Sequence, residues 1–188
     1  MMPVVRISDA AFSSLKNIAT WLDVGTPAQT IDRLVHNEME RLGLERDSEE
    51  GSGFKDGKGD DVLTFEKAPS LTFTRILSTT IDRQNLNKPN WKRLLLEVIH
   101  KVHAKGIEGE RLVRELHVPA KTGRYEGKGY KYYTTLEISV QGQSASDAWR
   151  EIYRLAEKHG IRVELEFQWR NDDKAEHPNR IGRLQAGG

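Results

Sequence analysis

SASDAWREIYRLAEKHGIRVELEFQW, residues 144–169, is the stretch that decides the fold. Its first part has apolar residues at helical spacing, and these fall on one side of a helix: Ala148, Trp149, Ile152, Leu155 and Ala156. Gly160 ends that helix. Its second part alternates strictly, which puts five apolar residues on one face of a strand: Ile161, Val163, Leu165, Phe167 and Trp169. The stretch predicts an amphipathic helix that leads directly into a half-buried strand.

Further elements of both kinds precede this stretch. LTFTRILSTTI (71–81) is rich in β-branched residues and predicts a strand, as does YYTTLEISV (132–140). ERLVRELHV (110–118) predicts a short helix, and KPNWKRLLLEVIHKVHAKG (88–106) predicts a long one. The long helix has an apolar stripe formed by Trp91, Leu94, Leu95, Val98, Ile99 and Val102. The order of strand, helix and strand over 132–169 favours a right-handed βαβ unit, and the fold class is α+β.

Composition and charge divide the chain into four segments. Residues 1–42 carry four basic and five acidic side chains, residues 43–70 carry four and eight, and residues 71–188 carry 21 and 15. We predict a small dimerisation module over 1–42, a flexible acidic and glycine-rich linker over 43–68, a basic domain over 69–170 and a polar, frayed tail over 171–188. A polyanion is expected to bind the basic part.

The composition also excludes some chemistry. The 188 residues include no cysteine, so disulfides and thiolate ligands or nucleophiles are excluded. No apolar run reaches the roughly 20 residues of a membrane helix, so we expect a cytoplasmic protein without a membrane partner. His100 and His103 lie three residues apart with no obvious third ligand, so we expect no metal, no cofactor and no catalytic residue.

The N-terminal segment has the pattern strand, helix, turn, helix. PVVRIS (3–8) predicts a strand, and Ser8 or Asp9 can cap a helix with Phe12, Leu15, Ile18 and Leu22 on one side. Thr26 is an N-cap, Pro27 fits the first helical position, and Gln29 completes a capping box for a second helix. About 40 residues with one strand cannot form a core alone, so we expect two or more chains to pair here.

VVRIS, FSSLKNIATWL and VGTPAQTIDRLV together resemble the ribbon-helix-helix superfamily. In closer detail the segment resembles the N-terminal oligomerisation module of the SeqA replication modulators, where a linker and a separate DNA-binding domain follow. The residues expected in dimerisation are Val5, Ile7, Phe12, Leu15, Ile31, Leu34 and Val35. The resemblance also implies an alternative DNA surface, with Val4, Arg6 and Ser8 in the groove and Thr26, Ala28 and Gln29 on phosphates.

KTGRYEGKGYKYY (121–133) is the main candidate for DNA contact in the basic domain. Tyrosines can stack on bases or bond to phosphates, and interleaved cations supply charge. The candidate residues are Lys121, Arg124, Tyr125, Lys128, Lys131 and Tyr133, together with Lys88, Lys92 and Arg93 at the start of the long helix. The alternative is a turn before a strand, in which Tyr132 packs inward with Leu136 while Lys131 and Tyr133 point outward.

Three functions are consistent with these patterns. We expect a non-enzymatic, oligomeric bacterial DNA-binding regulator whose N-terminal module pairs chains while the basic domain binds DNA. The first alternative is a ribbon-helix-helix repressor that reads DNA with its N-terminal strand and senses a ligand or partner with its C-terminal domain. The second is a nuclease or restriction-associated enzyme.

Overall fold

The computed structural model describes residues 6–21, 26–31, 34–35 and 62–188. The chain divides into two compact units, Met1–Glu40 and Arg41–Gly188. Most of the predicted linker, residues 43–61, lies outside the described residues.

Over its described residues, the first unit is helical where the sequence predicts helices. Helix α1 spans Asp9–Trp21, and the Ser8 hydroxyl accepts a hydrogen bond from the Ala11 amide at 3.2 Å. Helical residues 27–31 and 34–35, which we call α2, follow Thr26. The Thr26 hydroxyl accepts from the Gln29 amide at 3.3 Å, which confirms Thr26 as the N-cap. The Gln29 side chain accepts from the Thr26 hydroxyl at 3.1 Å, whereas a capping box would have it bond to the Thr26 backbone amide.

The predicted N-terminal strand is not formed over its described part. Residues 6–8 belong to neither a helix nor a strand, and Val4 and Val5 lie outside the described residues. A strand requires a hydrogen-bonded neighbour, which the prediction assigns to a second chain. Pairing of this segment therefore stays a prediction.

The described part of the second unit, residues 62–188, contains three helices and eight strands. The helices are α3 (Trp91–His103), α4 (Gly109–Glu115) and α5 (Ala145–His159). The strands are β1 (Leu63–Thr64), β2 (Thr74–Ile81), β3 (Gln84–Asn85), β4 (Ala120–Thr122), β5 (Tyr130–Tyr133), β6 (Ile138–Gln141), β7 (Val163–Trp169) and β8 (Ile181–Ala186). This mixture confirms the α+β class.

The strands form two sheets. The larger has the order β1-β8-β7-β2-β3 and is antiparallel except for the parallel pair β1 and β8. The smaller is antiparallel with the order β4-β6-β5, so β5 lies at its edge.

One hydrophobic core joins both sheets to α3 and α5. The predicted apolar stripes of both helices are buried, including Leu94 and Val98 of α3 and Ile152 of α5, all at 0% exposure. Burying each such side chain stabilises the fold by about 1.5–3 kcal/mol. Asn90 caps α3, Ser144 caps α5, and Gly160 ends α5 in the left-handed conformation at φ 60°.

The predicted βαβ unit is wrong. Strand β6 pairs with β4 and β5, whereas β7 pairs with β2 and β8 in the other sheet. Both edges of β6 are occupied, so it cannot pair with β7. YYTTLEISV is also not one strand: residues 134–137 turn the chain between β5 and β6, with Tyr133 opposite Ile138.

Two predicted domain boundaries are also wrong. The expected frayed tail, 171–188, contains β8, in which Leu184 and Ala186 are buried. The expected linker ends too late, because β1 pairs with β8 and Phe65 packs against Trp169 with ring centroids 5.9 Å apart. Each segment places only a few apolar side chains in the core. In the sequence these few residues stand among many polar ones, so the composition suggested disorder.

Candidate functional site

The stretch 121–133 contributes to both faces of the small sheet. The register places Lys121, Ser139 and Tyr132 side by side on one face and Ala120, Val140 and Lys131 on the other. Val140 is buried in the core, so its face is the inner one and the face of Lys121 is the outer one.

The loop between β4 and β5 folds across the outer face. Ser139 is fully buried beneath it: its hydroxyl donates to the Gly123 carbonyl and accepts from the Tyr125 amide, both at 2.8 Å. Gly123 adopts φ 71°, a conformation that favours glycine. The loop is therefore fixed to the sheet by hydrogen bonds to a buried hydroxyl.

The tip of the loop turns at Lys128 and Gly129, which have φ values of 52° and 79°. The Gln141 side chain donates to the Lys128 carbonyl at 2.8 Å, and the Gly142 amide donates to the Gly129 carbonyl at 3.0 Å. Lys128 is exposed at this tip. Its backbone is thus held in place while its ammonium group faces solvent.

Lys121, Tyr125 and Tyr130 form a cation–aromatic cluster on the outer face. The Lys121 ammonium lies 3.6 Å from the Tyr125 ring centroid and 5.1 Å from that of Tyr130. The two rings meet edge to face, with centroids 5.2 Å apart and planes at 81°. Such contacts contribute roughly 0.5–1 kcal/mol at exposed sites, so the cluster stiffens the loop and covers one face of Tyr125.

A cleft of about 320 Å³ separates α3 from the edge strand β5. From α3 it is lined by Lys92, Leu95 and Leu96, and from β5 by Tyr130, Lys131 and Tyr133. It therefore brings Lys92 together with Lys131 and Tyr133, two further predicted contact residues that lie about 40 positions later in the sequence.

The alternative arrangement, with Tyr132 inward and Lys131 and Tyr133 outward, is wrong. The register puts Tyr132 on the outer face and Lys131 and Tyr133 on the inner face, where Tyr133 packs against the core. Burial raises the pKa of the Tyr133 phenol to about 12. The phenol is therefore protonated and able to donate a hydrogen bond throughout the neutral range.

The remaining candidates of this domain lie outside the cleft lining. Arg124 is exposed and forms an ion pair with Glu126 at 3.1 Å, a contact of little net energy between exposed groups. Lys88 is exposed at φ 48° just before the helix cap, and Arg93 is exposed in the first turn of α3. These two add positive charge near the start of α3.

The candidates of the first unit are mainly exposed. Arg6, Ser8, Thr26, Ala28 and Gln29 are exposed, although Thr26 and Gln29 bond to each other. Large apolar residues expected in dimerisation are exposed as well: Ile7 at 44%, Phe12 at 41%, Ile31 at 40% and Val35 at 43%. Leu15 and Leu34 are half-buried.

Several residues of the cleft were not predicted from the sequence. Leu96 is a half-buried residue of α3, Gln141 is the last residue of β6, and Gln143 follows that strand. No local pattern in the sequence marks Gln141 or Gln143 as a site residue. Their proximity to α3 follows only from the packing of the small sheet on that helix.

Within the described residues, no group of three or more histidine or carboxylate side chains is placed to hold a metal ion. In the same part of the chain, no helix has both the length and the apolarity needed to cross a membrane. The chain matches no protein-family model, no curated protein and no solved structure.

Proposed function

We propose that this protein is an oligomeric DNA-binding regulator whose small sheet and adjoining start of α3 contact DNA. The observation that carries the proposal is the meeting of Lys92 and Lys131 at one cleft, next to the exposed Lys128 and the Lys121 cluster. These residues belong to the segment 71–188, which has six more basic than acidic side chains.

The chemistry of this surface suits a phosphate backbone. Stretch 121–133 holds four cations against the single carboxylate of Glu126. Lysine ammonium groups bind phosphate oxygens as point charges, and each neutralised phosphate releases counterions, which drives association. The loop that carries Lys128 is anchored through Ser139 and Gln141, so little conformational entropy is lost on binding.

The first unit supports assembly with a second copy of the chain. It has about 40 residues and leaves large apolar side chains such as Phe12 and Val35 more than 40% exposed. A unit of this size rarely buries enough surface alone, and a second copy offers an identical apolar face. Pairing would place two DNA-binding units on one particle.

The proposal is tested with the full chain and a labelled DNA duplex in a fluorescence anisotropy titration. We expect the double variant Lys128→Ala/Lys131→Ala to bind at least about tenfold more weakly than the wild type, because two phosphate contacts are lost. Lys174→Ala, which removes an exposed lysine from the loop between β7 and β8, is the matched control and should bind normally. Wild-type affinity in the double variant would refute the proposal.

A second function is favoured by the cleft itself, which has the size of a small-ligand site. In that case the protein is a repressor that reads DNA with Arg6 and senses a ligand through its second unit. Arg6→Ala distinguishes the two functions: it abolishes DNA binding in the repressor and leaves it nearly unchanged in the function proposed first.

A further inference from the structure

We infer that the cleft between α3 and β5 receives one extrahelical base of the bound DNA, so that the protein prefers duplexes with an unpaired nucleotide. This inference rests on the proposed function and specifies what its site recognises.

The size of the cleft suits a single base. At about 320 Å³ it lies at the lower end of the range for small-ligand sites, roughly 300–1,000 Å³, and is far too small for a duplex. A base can enter it only after leaving the helical stack, as happens when enzymes flip a nucleotide. A nucleotide that is already unpaired avoids most of that cost.

The floor and walls suit a planar, largely apolar ring. Leu95, Val140 and Ala148 line the cleft and are each at most 4% exposed, so they form an apolar floor. The Tyr133 ring lies on the inner face of the sheet and lines the cleft, and aromatic side chains stack on bases of any sequence.

Polar groups in the lining match the edge of a base better than a phosphate. The Gln143 side chain is fixed because its amide nitrogen donates to the carbonyls of Gln141 and Gly142, both at 3.0 Å. Its amide oxygen remains suited to accept from a base amino or imino group. The Glu126 carboxylate also lines the cleft, and it accepts from such groups but repels an anion.

Two lysines place positive charge on opposite sides of the cleft: Lys92 on α3 and Lys131 on β5. A base inserted between them keeps its own phosphates near the ammonium groups. This division, with acceptors for the base and cations for its backbone, is the arrangement expected for a nucleotide within a strand.

Three duplexes of equal length test the inference with the full chain: fully paired, with one bulged adenosine, and with one bulged abasic nucleotide. We expect the adenosine bulge to bind about tenfold more tightly than the abasic bulge, because only the base can stack on Tyr133. The abasic bulge has the same backbone interruption, so it controls for DNA flexibility.

Leu96→Trp tests the cleft from the protein side. Leu96 is half-buried and lines the cleft, so a larger side chain there is expected to fill the cleft rather than disturb the buried core. This variant should bind all three duplexes with the affinity of the paired one. Equal wild-type affinity for the two bulges would overturn the inference while leaving the proposed function intact. Failure to bind any of the three duplexes would overturn both.

Discussion

Gly182 has no side chain, and this leaves room for two large aromatic rings in the core. It lies in β8 opposite Phe167 of β7. A Cβ atom at Gly182 would lie 2.5 Å from the Phe167 Cζ and 3.1 Å from the Trp169 Cζ3. Both rings are fully buried, so neither can move outward.

Gly182→Ala is therefore expected to lower the free energy of unfolding by about 1–3 kcal/mol through overpacking. The measurement is the midpoint of urea denaturation followed by tryptophan fluorescence. Gln185→Ala, at an exposed position of the same strand, is the control and should change the midpoint little. An unchanged midpoint in Gly182→Ala would mean that the rings are not packed as described.

Asp82 and Arg83 are the two turn residues between the paired Ile81 and Gln84. Their φ values of 49° and 67° are those of a type I′ turn, which favours glycine at the second position. A non-glycine residue in the left-handed region destabilises the folded state by roughly 1–2 kcal/mol, so Arg83 is a strained position.

Arg83→Gly is expected to raise the free energy of unfolding by up to about 1 kcal/mol, since relief of strain exceeds the added entropy of the unfolded chain. Arg83→Ala retains the Cβ and should give no such gain. Urea denaturation of the wild type and both variants measures the free energy of unfolding. An equal gain in Arg83→Gly and Arg83→Ala would mean that loss of the arginine side chain, and not relief of backbone strain, is the cause.

At the scale of elements, ion pairs fasten α4 to α5. Glu115, the last residue of α4, accepts hydrogen bonds from Lys158 and His159 of α5, both at 2.9 Å. Glu151 of α5 is 3% exposed and accepts from the His117 amide at 2.9 Å and from Arg154. Each buried charge is thus paired, which offsets its loss of hydration.

Because of these bonds, the free energy of unfolding depends on pH in the acid range. The hydrogen bonds from Lys158 and then His159 lower the pKa of Glu115 from 4.5 to about 2, although burial acts in the opposite direction. Because the pKa is lower in the folded state, the contribution is complete above pH 4.5 and is lost as the pH falls towards 2. A shift of this size corresponds to at most about 3.4 kcal/mol.

Glu115→Gln should therefore be less stable than the wild type at pH 7, and the difference should shrink steadily below pH 4.5. Urea denaturation at pH 7, 4 and 2.5 measures it. Glu110→Gln, which removes an exposed carboxylate of the same helix, is the control and should show little difference at any pH. A difference for Glu115→Gln that is independent of pH would contradict the assignment.

The elements with strong apolar periodicity were predictable from the sequence. The stripes of α3 and α5 place many large side chains on one face, and β2 is rich in β-branched residues. Strand β8 was not predictable, because two of its three inward residues are Gly182 and Ala186, which give almost no hydrophobic signal. The turn at 134–137 was missed because it lacks glycine and proline and uses Glu137 at φ 54°.

The sequence predicted some of the residues of the candidate site but not how they are arranged. The sequence indicated Lys92, Lys131 and Tyr133 as contacts, but their meeting at one cleft depends on the small sheet packing against α3. The inward position of Tyr133 also followed from the hairpin register, which places it opposite the buried Ile138. Neither fact is encoded in local periodicity.

At the scale of the whole molecule, two or more chains joined through the first unit would bind two DNA sites together. The second contact then benefits from a high effective concentration, so the affinity for two-site DNA exceeds that for one site. This gain is separate from the phosphate contacts of each second unit.

Phe12→Glu is expected to disrupt pairing, because it places a charge in the apolar face of α1. The mass measured by light scattering should fall to the 21.4 kDa of one chain, and two-site DNA should be bound much more weakly while one-site DNA is bound as before. Asn17→Glu adds the same charge to an exposed polar position of α1 and should leave the mass unchanged. An oligomer of unaltered mass in Phe12→Glu would contradict pairing through this face.

The most direct test of the central claim is the salt dependence of duplex binding by the full chain. The logarithm of the binding constant is plotted against the logarithm of salt concentration for the wild type, Lys128→Ala/Lys131→Ala, and the control Lys67→Ala/Lys174→Ala, which removes two exposed lysines from the rest of the second unit. If the small sheet binds phosphates, the slope of the first double variant is shallower by about 2, since each lost contact removes about 0.9, and the control keeps the wild-type slope. Identical slopes in all three proteins would contradict the claim.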